Sequence, residues 1–263
     1  MSWRDEITLR MAFFLSVLTA MALWEALAPR RTRSFPRSVR WPANLGIVVA
    51  GALVVRVLFP VAAVGAAAFA QARGWGLLPA LGLSFWPASV VSFLALDALV
   101  WGQHVVSHRV PLLWRVHRMH HADLDYDVTT ALRFHPLEIA LSMLLKMTAV
   151  VALGAPPESV LFFEIALNAL AMFNHANAGL PPRIEPFVRW LFVTPDMHRI
   201  HHSILRDETD SNFGFNFSFW DRLAGLYRAA PAAGQGGMTI GLPDFREERE
   251  LGLGRMLTQP FRD

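Results

Sequence analysis

Histidine is the residue type in this sequence with the clearest potential for chemistry, because one short histidine pattern occurs twice. HRMHH stands at residues 117–121 and HRIHH at residues 198–202. His104 and His108 form a further pair with the spacing i, i+4. On a helix, residues separated by three or four positions share one face. Each of the three segments therefore predicts a helix with its imidazoles on a single face.

All ten histidines of the 263-residue chain lie between positions 104 and 202. Imidazole binds zinc, copper, iron and nickel, whereas buried imidazoles without partners leave polar nitrogens unsatisfied. Ten imidazoles exceed what one ion can hold, but two ions with about five each would keep one octahedral position open for oxygen or water. We therefore predict a dinuclear metal site. Its predicted ligands are His104, His108, His117, His120, His121, His135, His175, His198, His201 and His202.

Carboxylates near the histidines are candidates to hold the imidazole rings by hydrogen bonds. The predicted partners are Asp97, Asp196 and Asp210. Asp196 is favoured because it stands two residues before a histidine, and Asp97 because it stands two helical turns before another. The acidic run at 123–127 is interpreted instead as a solvated loop.

The composition indicates an integral membrane protein. Hydrophobic residues make up 54% of the chain and charged residues only 17%, against about 25% charged residues in a typical soluble domain. Cysteine is absent, which excludes disulfides, all-cysteine iron–sulfur clusters and thiolate-bound haem. The apolar runs are Ile7–Ala28, Asn44–Ala72, Phe85–Val106, Leu137–Leu153 and Val160–Phe173.

Two details of these runs need interpretation. The first run could be a signal peptide, but its length, the acidic residues before it and Pro29 after it favour a retained span. The second run is too long for one straight crossing, so we expect a kink at Pro60 or a strong tilt. Arg56 within it is interpreted as a structural arginine rather than a functional charge.

The arginines indicate how the chain is oriented. Five of them lie between positions 30 and 40, beside apolar segments, and this placement is typical of a cytoplasmic membrane flank rather than a nucleic-acid site. Alternation of the spans then places all ten histidines at the cytoplasmic face. Lys146 is the only lysine beside 23 arginines, a composition typical of GC-rich bacterial genomes. We therefore expect a bacterial inner-membrane protein.

These observations together predict an all-α fold. It is a polytopic transmembrane domain of four to five spans or membrane-embedded helices, with a cytosolic, histidine-rich helical cap. Residues 1–84 are expected to form N-terminal membrane helices and residues 85–228 the histidine-bearing domain with its own membrane helices. Residues 229–263 are expected to form a peripheral tail of unknown role.

The histidine segments resemble the fatty acid hydroxylase / sterol desaturase superfamily of membrane di-iron oxygenases. The three histidine boxes carry the resemblance, together with LRFHPLE (132–138), FNHAN (173–177), TPDMHRIHHS (194–203) and NFGF…WDRLAGLY (212–227). It covers roughly residues 85–228. The resemblance implies two iron ions, with zinc as a substitute in purified protein, and no catalytic residue separate from the metal ligands.

The resemblance also implies O2 as co-substrate and a lipid substrate, such as a fatty acyl chain or a sterol, drawn from the bilayer. Two electrons would come from a separate ferredoxin- or cytochrome b5-like protein. Hydroxylation and desaturation remain open, because both begin with the same hydrogen abstraction. A metal transporter or sensor is an alternative, although its ligands would be expected inside the spans. A non-catalytic family member with two zinc ions is another.

Overall fold

The structure, a computed structural model, describes residues 3–262, and over that range the chain is all-helical, as predicted. The α-helices in chain order are α1 (Trp3–Leu27), α2 (Arg37–Leu58), α3 (Ala62–Ala72), α4 (Leu77–Ala80), α5 (Phe85–Arg109), α6 (Pro111–His121), α7 (Pro136–Leu153), α8 (Pro157–Asn174), α9 (Glu185–Leu191), α10 (Pro195–His201), α11 (Arg206–Thr209), α12 (Phe219–Leu223), α13 (Gly234–Gly237) and α14 (Leu253–Thr258). Short 3₁₀ segments cover Thr130–Leu132, Glu248–Leu251 and Gln259–Phe261. Extended structure within residues 3–262 is limited to two isolated bridges, one joining Phe192 to Phe217 and one joining Ser203 to Ile240.

Four segments of the described chain are long and apolar enough to cross a membrane. They are Arg4–Leu27, Arg37–Ala80, Phe85–Arg109 and Pro136–Leu153. Helix α8 corresponds to the fifth predicted apolar run and contacts α1, α3 and α5, but it is not one of the four. Apolar side chains such as Leu53, Val57 and Trp86 are exposed on the outside of this bundle, where lipid would cover them.

The second apolar run is broken at Pro60, as predicted. Helix α2 ends at Leu58 and α3 begins at Ala62, because proline lacks the backbone N–H that a continuous helix needs. Arg56 Nη1 donates to the Pro60 carbonyl oxygen at 3.0 Å. This hydrogen bond satisfies a carbonyl next to the break, in keeping with a structural role for Arg56.

A tight turn places the histidine-bearing ends of α7 and α8 at the same end of the bundle. Gly154 ends α7 in the left-handed conformation, with φ +66°. A Cβ atom there would lie 2.4 Å from the Trp75 carbonyl oxygen, so only glycine fits. Pro157 then begins α8. The two helices run antiparallel, which brings His135 before α7 and His175 after α8 to one side.

The core of the bundle forms where α3, α5, α7 and α8 meet. Ala63, Leu96, Val150 and Phe163 are fully buried there. The alanine-rich face of α3 allows its backbone to approach its neighbours closely, as small residues do between membrane helices. This packing fixes α5, α7 and α8 relative to one another. The histidines lie at one end of these three helices.

The acidic run at 123–127 is not a solvated loop, so that interpretation was wrong. Asp123 and Asp127 are fully buried and bind Arg40 of α2 at 2.7 Å and 2.6 Å. Burial acts to raise the pKa of Asp123, but the Arg40 guanidinium outweighs it and lowers the pKa to about 2. The partner lies more than 80 positions away in sequence, so no local pattern reveals the pair. It anchors the loop after α6 to the membrane helices.

The C-terminal tail packs against the histidine-bearing helix α6 instead of lying apart from it. Met256 is buried together with Met119 of α6 and Ile47 of α2. Arg118 Nη2 donates to the Gln259 carbonyl oxygen at 2.9 Å. The tail therefore covers part of α6.

Candidate metal centre

The structure brings nine of the ten histidines, all within residues 3–262, into two compact groups in which the potential ligand atoms lie within 4.8 Å of one another. The five-histidine group consists of His104, His108, His117, His121 and His201. The four-histidine group consists of His120, His175, His198 and His202. Every one of these residues is buried.

Each H-x-x-H-H box contributes to both groups. From the first box, His117 and His121 join the five-histidine group, and the intervening His120 joins the other. From the second box, His201 joins the five-histidine group, whereas His198 joins the four-histidine group. The helical spacing predicted a shared face. The structure shows that the histidines on this face are divided between the two groups.

In the five-histidine group the Nε2 atoms point at one another. His104 Nε2 lies 3.0 Å from His201 Nε2 and 3.1 Å from His117 Nε2. His121 Nε2 lies 3.1 Å from His108 Nε2 and 3.2 Å from His117 Nε2. Neighbouring ligands of an octahedral ion with metal–nitrogen distances near 2.1 Å would be about 3.0 Å apart, so the spacing fits one ion.

Hydrogen bonds at the other ring nitrogen decide the tautomers. His104 Nδ1 lies 2.7 Å from the Phe213 carbonyl oxygen, and His201 Nδ1 lies 2.7 Å from the Ser211 carbonyl oxygen. A carbonyl oxygen only accepts, so each Nδ1 carries the proton and each neutral ring presents an Nε2 lone pair. Two lone pairs 3.0 Å apart with no proton between them repel each other. A cation between them removes the repulsion.

Carboxylates hold two further rings of the same group. His117 Nδ1 lies 2.7 Å from Glu138 Oε1, and His108 Nδ1 lies 3.2 Å from Asp210 Oδ1. These contacts again leave Nε2 directed into the group. Asp210 was a predicted partner, whereas Glu138 was not. It belongs to the LRFHPLE motif but reaches His117 only because α7 packs against α6.

Three consecutive carbonyl groups orient rings of both groups. Besides the bonds from Ser211 and Phe213, the Asn212 carbonyl oxygen lies 3.2 Å from His198 Nδ1. Asn212 adopts φ +54°, a conformation that asparagine tolerates better than most residues. We call residues 211–213 the carbonyl cradle. No side-chain pattern reports it, because its functional atoms belong to the backbone.

Asp221 fixes the carbonyl cradle in place. Its carboxylate accepts hydrogen bonds at 2.9 Å from the backbone N–H groups of Phe213 and Gly214, and one at 3.0 Å from Trp101 Nε1. Burial raises the pKa of Asp221 to about 6 although these donors oppose the shift. The histidine spacing does not reveal this role of Asp221.

The four-histidine group contains buried nitrogens without a hydrogen-bond partner among residues 3–262. They include His198 Nε2, His120 Nδ1 and both ring nitrogens of His202. Leaving a buried polar atom unsatisfied costs about 1–3 kcal/mol, and native proteins rarely tolerate several together. A metal ion coordinated by these rings would satisfy one nitrogen of each ring, and the residues present therefore fit one.

Within residues 3–262, neither Asp196 nor Asp97 forms an observed hydrogen bond with a histidine, contrary to prediction. The Asp196 carboxylate pairs with Arg30 at 3.1 Å and with Arg199 at 2.5 Å. Asp97 Oδ2 accepts a hydrogen bond from Trp220 Nε1 at 2.8 Å. Residues at i and i+2 of a helix do not face each other, which explains Asp196. Two turns of helix, about 10.5 Å, separate Asp97 from His104.

His135 lies outside both groups, so nine of the ten predicted ligands are brought together. Its Nδ1 accepts from the Leu137 backbone N–H at 3.2 Å and caps the N-terminus of α7. Its Nε2 lies 3.3 Å from the Leu257 carbonyl oxygen. Both ring nitrogens thus have backbone partners. Pro136 directly after it is typical of the first position of a helix, and this local signal favoured a capping role.

A cavity leads from the five-histidine group into the membrane helices. Its volume is about 220 Å³, and it lies between α5, α7 and α8. His104 and His117 form one end, and apolar residues such as Val100, Ile139 and Leu167 line the middle. The cavity therefore joins the ring end of His104 and His117 to an apolar space among the membrane helices.

Acid is expected to destabilise the metal-free protein. Burial lowers the pKa of His175 from 6.5 to about 3, and burial together with neighbouring imidazoles lowers the pKa of His201 and His202 well below 6.5. The unfolded chain then binds more protons than the folded one below about pH 6.5, so stability is complete above this pH and is lost as the pH falls toward 3. For each such imidazole, the free energy of unfolding falls by up to about 1.4 kcal/mol per pH unit in this range.

The measurement is thermal unfolding of chelator-treated protein in detergent between pH 7.5 and pH 5. We expect the melting temperature to fall steadily below pH 6.5. The variant His135→Ala is the control: this buried ring belongs to neither group. Burial also lowers the pKa of His135, so the variant should lose only a small part of the slope with pH and keep most of it. An equal melting temperature at pH 7.5 and pH 5 would contradict the burial of neutral imidazoles.

Comparison with known proteins places this site in a family. Residues 89–226 match the family model described as fatty acid hydroxylase. The chain is 26% identical over 230 residues to ornithine lipid hydroxylase of Rhizobium tropici, covering 83% of this chain and 66% of that protein. It is 31% identical over 137 residues to alkylglycerol monooxygenase of Xenopus tropicalis, covering 52% of this chain and 30% of that protein.

A third relative is human cholesterol 25-hydroxylase, 26% identical over 139 residues, which cover 51% of this chain and 48% of that enzyme. The chain thus spans just under two thirds of the bacterial relative and less than half of the two animal enzymes. No solved structure matches the chain. The family match includes all nine clustered histidines and spans more than half of the sequence. The chain belongs to the fatty acid hydroxylase family.

Proposed function

We propose that the protein is a membrane-bound lipid hydroxylase that uses O2 at two iron ions bound by the nine clustered histidines. The observation that carries the proposal is the convergence of Nε2 lone pairs in the five-histidine group, with His104 and His201 only 3.0 Å apart. A second, four-histidine group beside it supports a pair of ions. The names of the relatives, two hydroxylases and a monooxygenase, favour hydroxylation over desaturation.

The reaction inserts one oxygen atom of O2 into an aliphatic C–H bond, and the other oxygen atom leaves as water. Two electrons and two protons are needed, and we propose that a separate ferredoxin- or cytochrome b5-like protein supplies the electrons. The bound iron ions would supply the activation of O2 and the oxidising strength that no amino-acid side chain has. Iron is favoured by the family, and zinc is expected to occupy the same nitrogen ligands in some preparations.

The chain's own residues bind the lipid, orient it and exclude water. Val100, Ile139 and Leu167 line the middle of the cavity and would bury the aliphatic part of the substrate. His104 and His117 end the cavity, so the carbon that reaches them is the one attacked. Glu138 and the carbonyl cradle keep the Nδ1 protons in place and the Nε2 atoms directed inward.

We propose that the histidine groups face the cytoplasm of a bacterial inner membrane. The arginine-rich segment at 30–40 leads directly into α2, and positive charge of this kind is typical of cytoplasmic flanks. Such a location would give the electron donor access to the cap, while the lipid enters from the bilayer.

The test is lipid analysis of bacterial cells that express the chain under ¹⁸O2. A lipid that gains one labelled oxygen, in cells with the intact chain but not with the variant His201→Ala, is the expected result. A lipid that loses two hydrogens without gaining oxygen would instead establish desaturation. An unchanged lipid profile, with the chain folded in the membrane and loaded with iron, would contradict the proposed activity.

A further inference from the structure

The cavity has a second polar end, opposite the histidines. Lys146, Asn168 and Ser142 line it together with the apolar residues. Lys146 and Glu138 are eight residues apart on the same face of α7, and at 1.5 Å per residue this is about 12 Å. The cavity is therefore polar at both ends, and mainly apolar residues, together with Ser142, lie between them.

Lys146 is the only lysine of the chain, and it is buried inside the membrane part of the bundle. Its Nζ atom forms an ion pair with Glu164 of α8. Glu164 Oε2 also binds Arg10 Nη2 of α1 at 2.6 Å. Two cations thus share one buried carboxylate. A charged side chain in the middle of a membrane helix is costly, so a purely apolar contact would join these helices at lower cost.

The ammonium group of Lys146 has hydrogen-bonding capacity beyond this ion pair. It carries three N–H donors, and within residues 3–262 one bond, to Glu164, is observed. Because the side chain also forms part of the cavity wall, the remaining donors can serve a molecule inside the cavity. Asn168 donates to the Glu164 carbonyl oxygen at 2.8 Å, which leaves its own side-chain oxygen and second N–H for the same molecule.

We infer that Lys146, with Asn168 and Ser142, forms a substrate subsite that binds an acceptor oxygen on an aliphatic chain. The oxygen belongs either to the carboxylate of a free fatty acid or to the ester or amide carbonyl of a membrane lipid. Anchoring this oxygen about 12 Å from Glu138 fixes which carbon reaches His104 and His117. The inference rests on the proposed function for the meaning of the attacked carbon, but the binding itself requires no turnover.

Arg10 provides a matched control for Lys146. It binds the same Glu164 carboxylate and has the same charge, but it is absent from the cavity that leads to the histidines. The variants Lys146→Met and Arg10→Met therefore each remove one cation from Glu164, and only the first removes a donor from the cavity wall. Lys146→Arg retains a donor and tests whether the charge suffices.

The experiment measures binding of radiolabelled palmitic acid to the full, metal-loaded chain in nanodiscs, with palmitic acid, methyl palmitate and hexadecane as competitors. For the original protein and for Arg10→Met, we expect at least one oxygen-bearing competitor to bind roughly tenfold or more tightly than hexadecane, as one hydrogen bond from a charged donor gives. Lys146→Met should lose this preference and Lys146→Arg should keep it. Which competitor binds more tightly identifies the source of the oxygen.

Two outcomes would overturn the inference. One is the absence of any preference over hexadecane in the original protein. The other is an equal loss of preference in Arg10→Met and Lys146→Met, since this would assign Lys146 a structural role through Glu164. Metal content and melting temperature of each variant show that it is folded. Because no product is measured, a failure here is distinct from a failure of the proposed hydroxylation.

Discussion

Alanine at His198 is expected to lower the metal content from about two ions per chain to about one. His198 belongs to the four-histidine group, where only three ligands would remain. His201→Ala leaves four ligands in the five-histidine group, so its metal loss should be smaller. Hydroxylation should fall by more than about 100-fold in both variants, since loss of a ligand exceeds the effect of losing a residue that merely orients one. Metal analysis of the purified variants, with product formation, checks this.

His135→Ala is the matched control for these two variants. The side chain is the same, but both ring nitrogens bind the backbone and neither belongs to a histidine group. We expect metal content to be unchanged and stability to fall by about 1 kcal/mol through loss of the cap of α7. If His135→Ala lost metal while His198→Ala kept it, the grouping of the histidines would be incorrect.

Asparagine at Asp221 is expected to weaken metal binding by roughly 10- to 100-fold, although Asp221 touches no histidine ring. The carboxylate accepts three hydrogen bonds, two of them from the backbone of Phe213 and Gly214. Asparagine keeps the shape, but its amide NH2 would face at least one N–H donor. The carbonyl cradle would then shift, and His104, whose Nδ1 binds the Phe213 carbonyl oxygen, would lose its orientation. Competition with a chelator measures the affinity.

Asp97→Asn separates this effect from general destabilisation. Asp97 is also buried and also accepts a hydrogen bond from a tryptophan, Trp220, at 2.8 Å. It forms no observed hydrogen bond with residues 211–214. Its substitution should lower the melting temperature to a similar degree and leave metal affinity close to that of the original protein. Equal metal affinities for the two variants would mean that Asp221 does not act through the cradle.

The sequence predicts those histidines whose short spacing along the chain already places them on one face of a helix. The histidines of α5, α6 and α10 are three or four residues apart, and a helix alone suffices to align them. His175 is predicted only because the other histidines have the spacing of metal ligands, and it joins the four-histidine group. The same reasoning failed for His135, because a lone histidine before proline has a local use as a helix cap.

The surroundings of the rings could not be predicted in this way. Glu138 reaches His117 across a contact between two helices, and the carbonyl cradle consists of backbone atoms whose position depends on Asp221. Arg40 and Asp123 are paired over more than 80 positions. Each of these contacts depends on tertiary packing and leaves no periodic signal. The membrane helices, by contrast, follow directly from apolar length and were largely predicted.

Anomalous scattering at the iron absorption edge, from crystals of iron-loaded protein, tests the central claim most directly. We expect two peaks per chain: one about 2.1 Å from the Nε2 atoms of His104, His117 and His201, and one among the rings of the four-histidine group. A single peak, or peaks remote from both groups, would contradict the assignment of nine histidines to two metal ions.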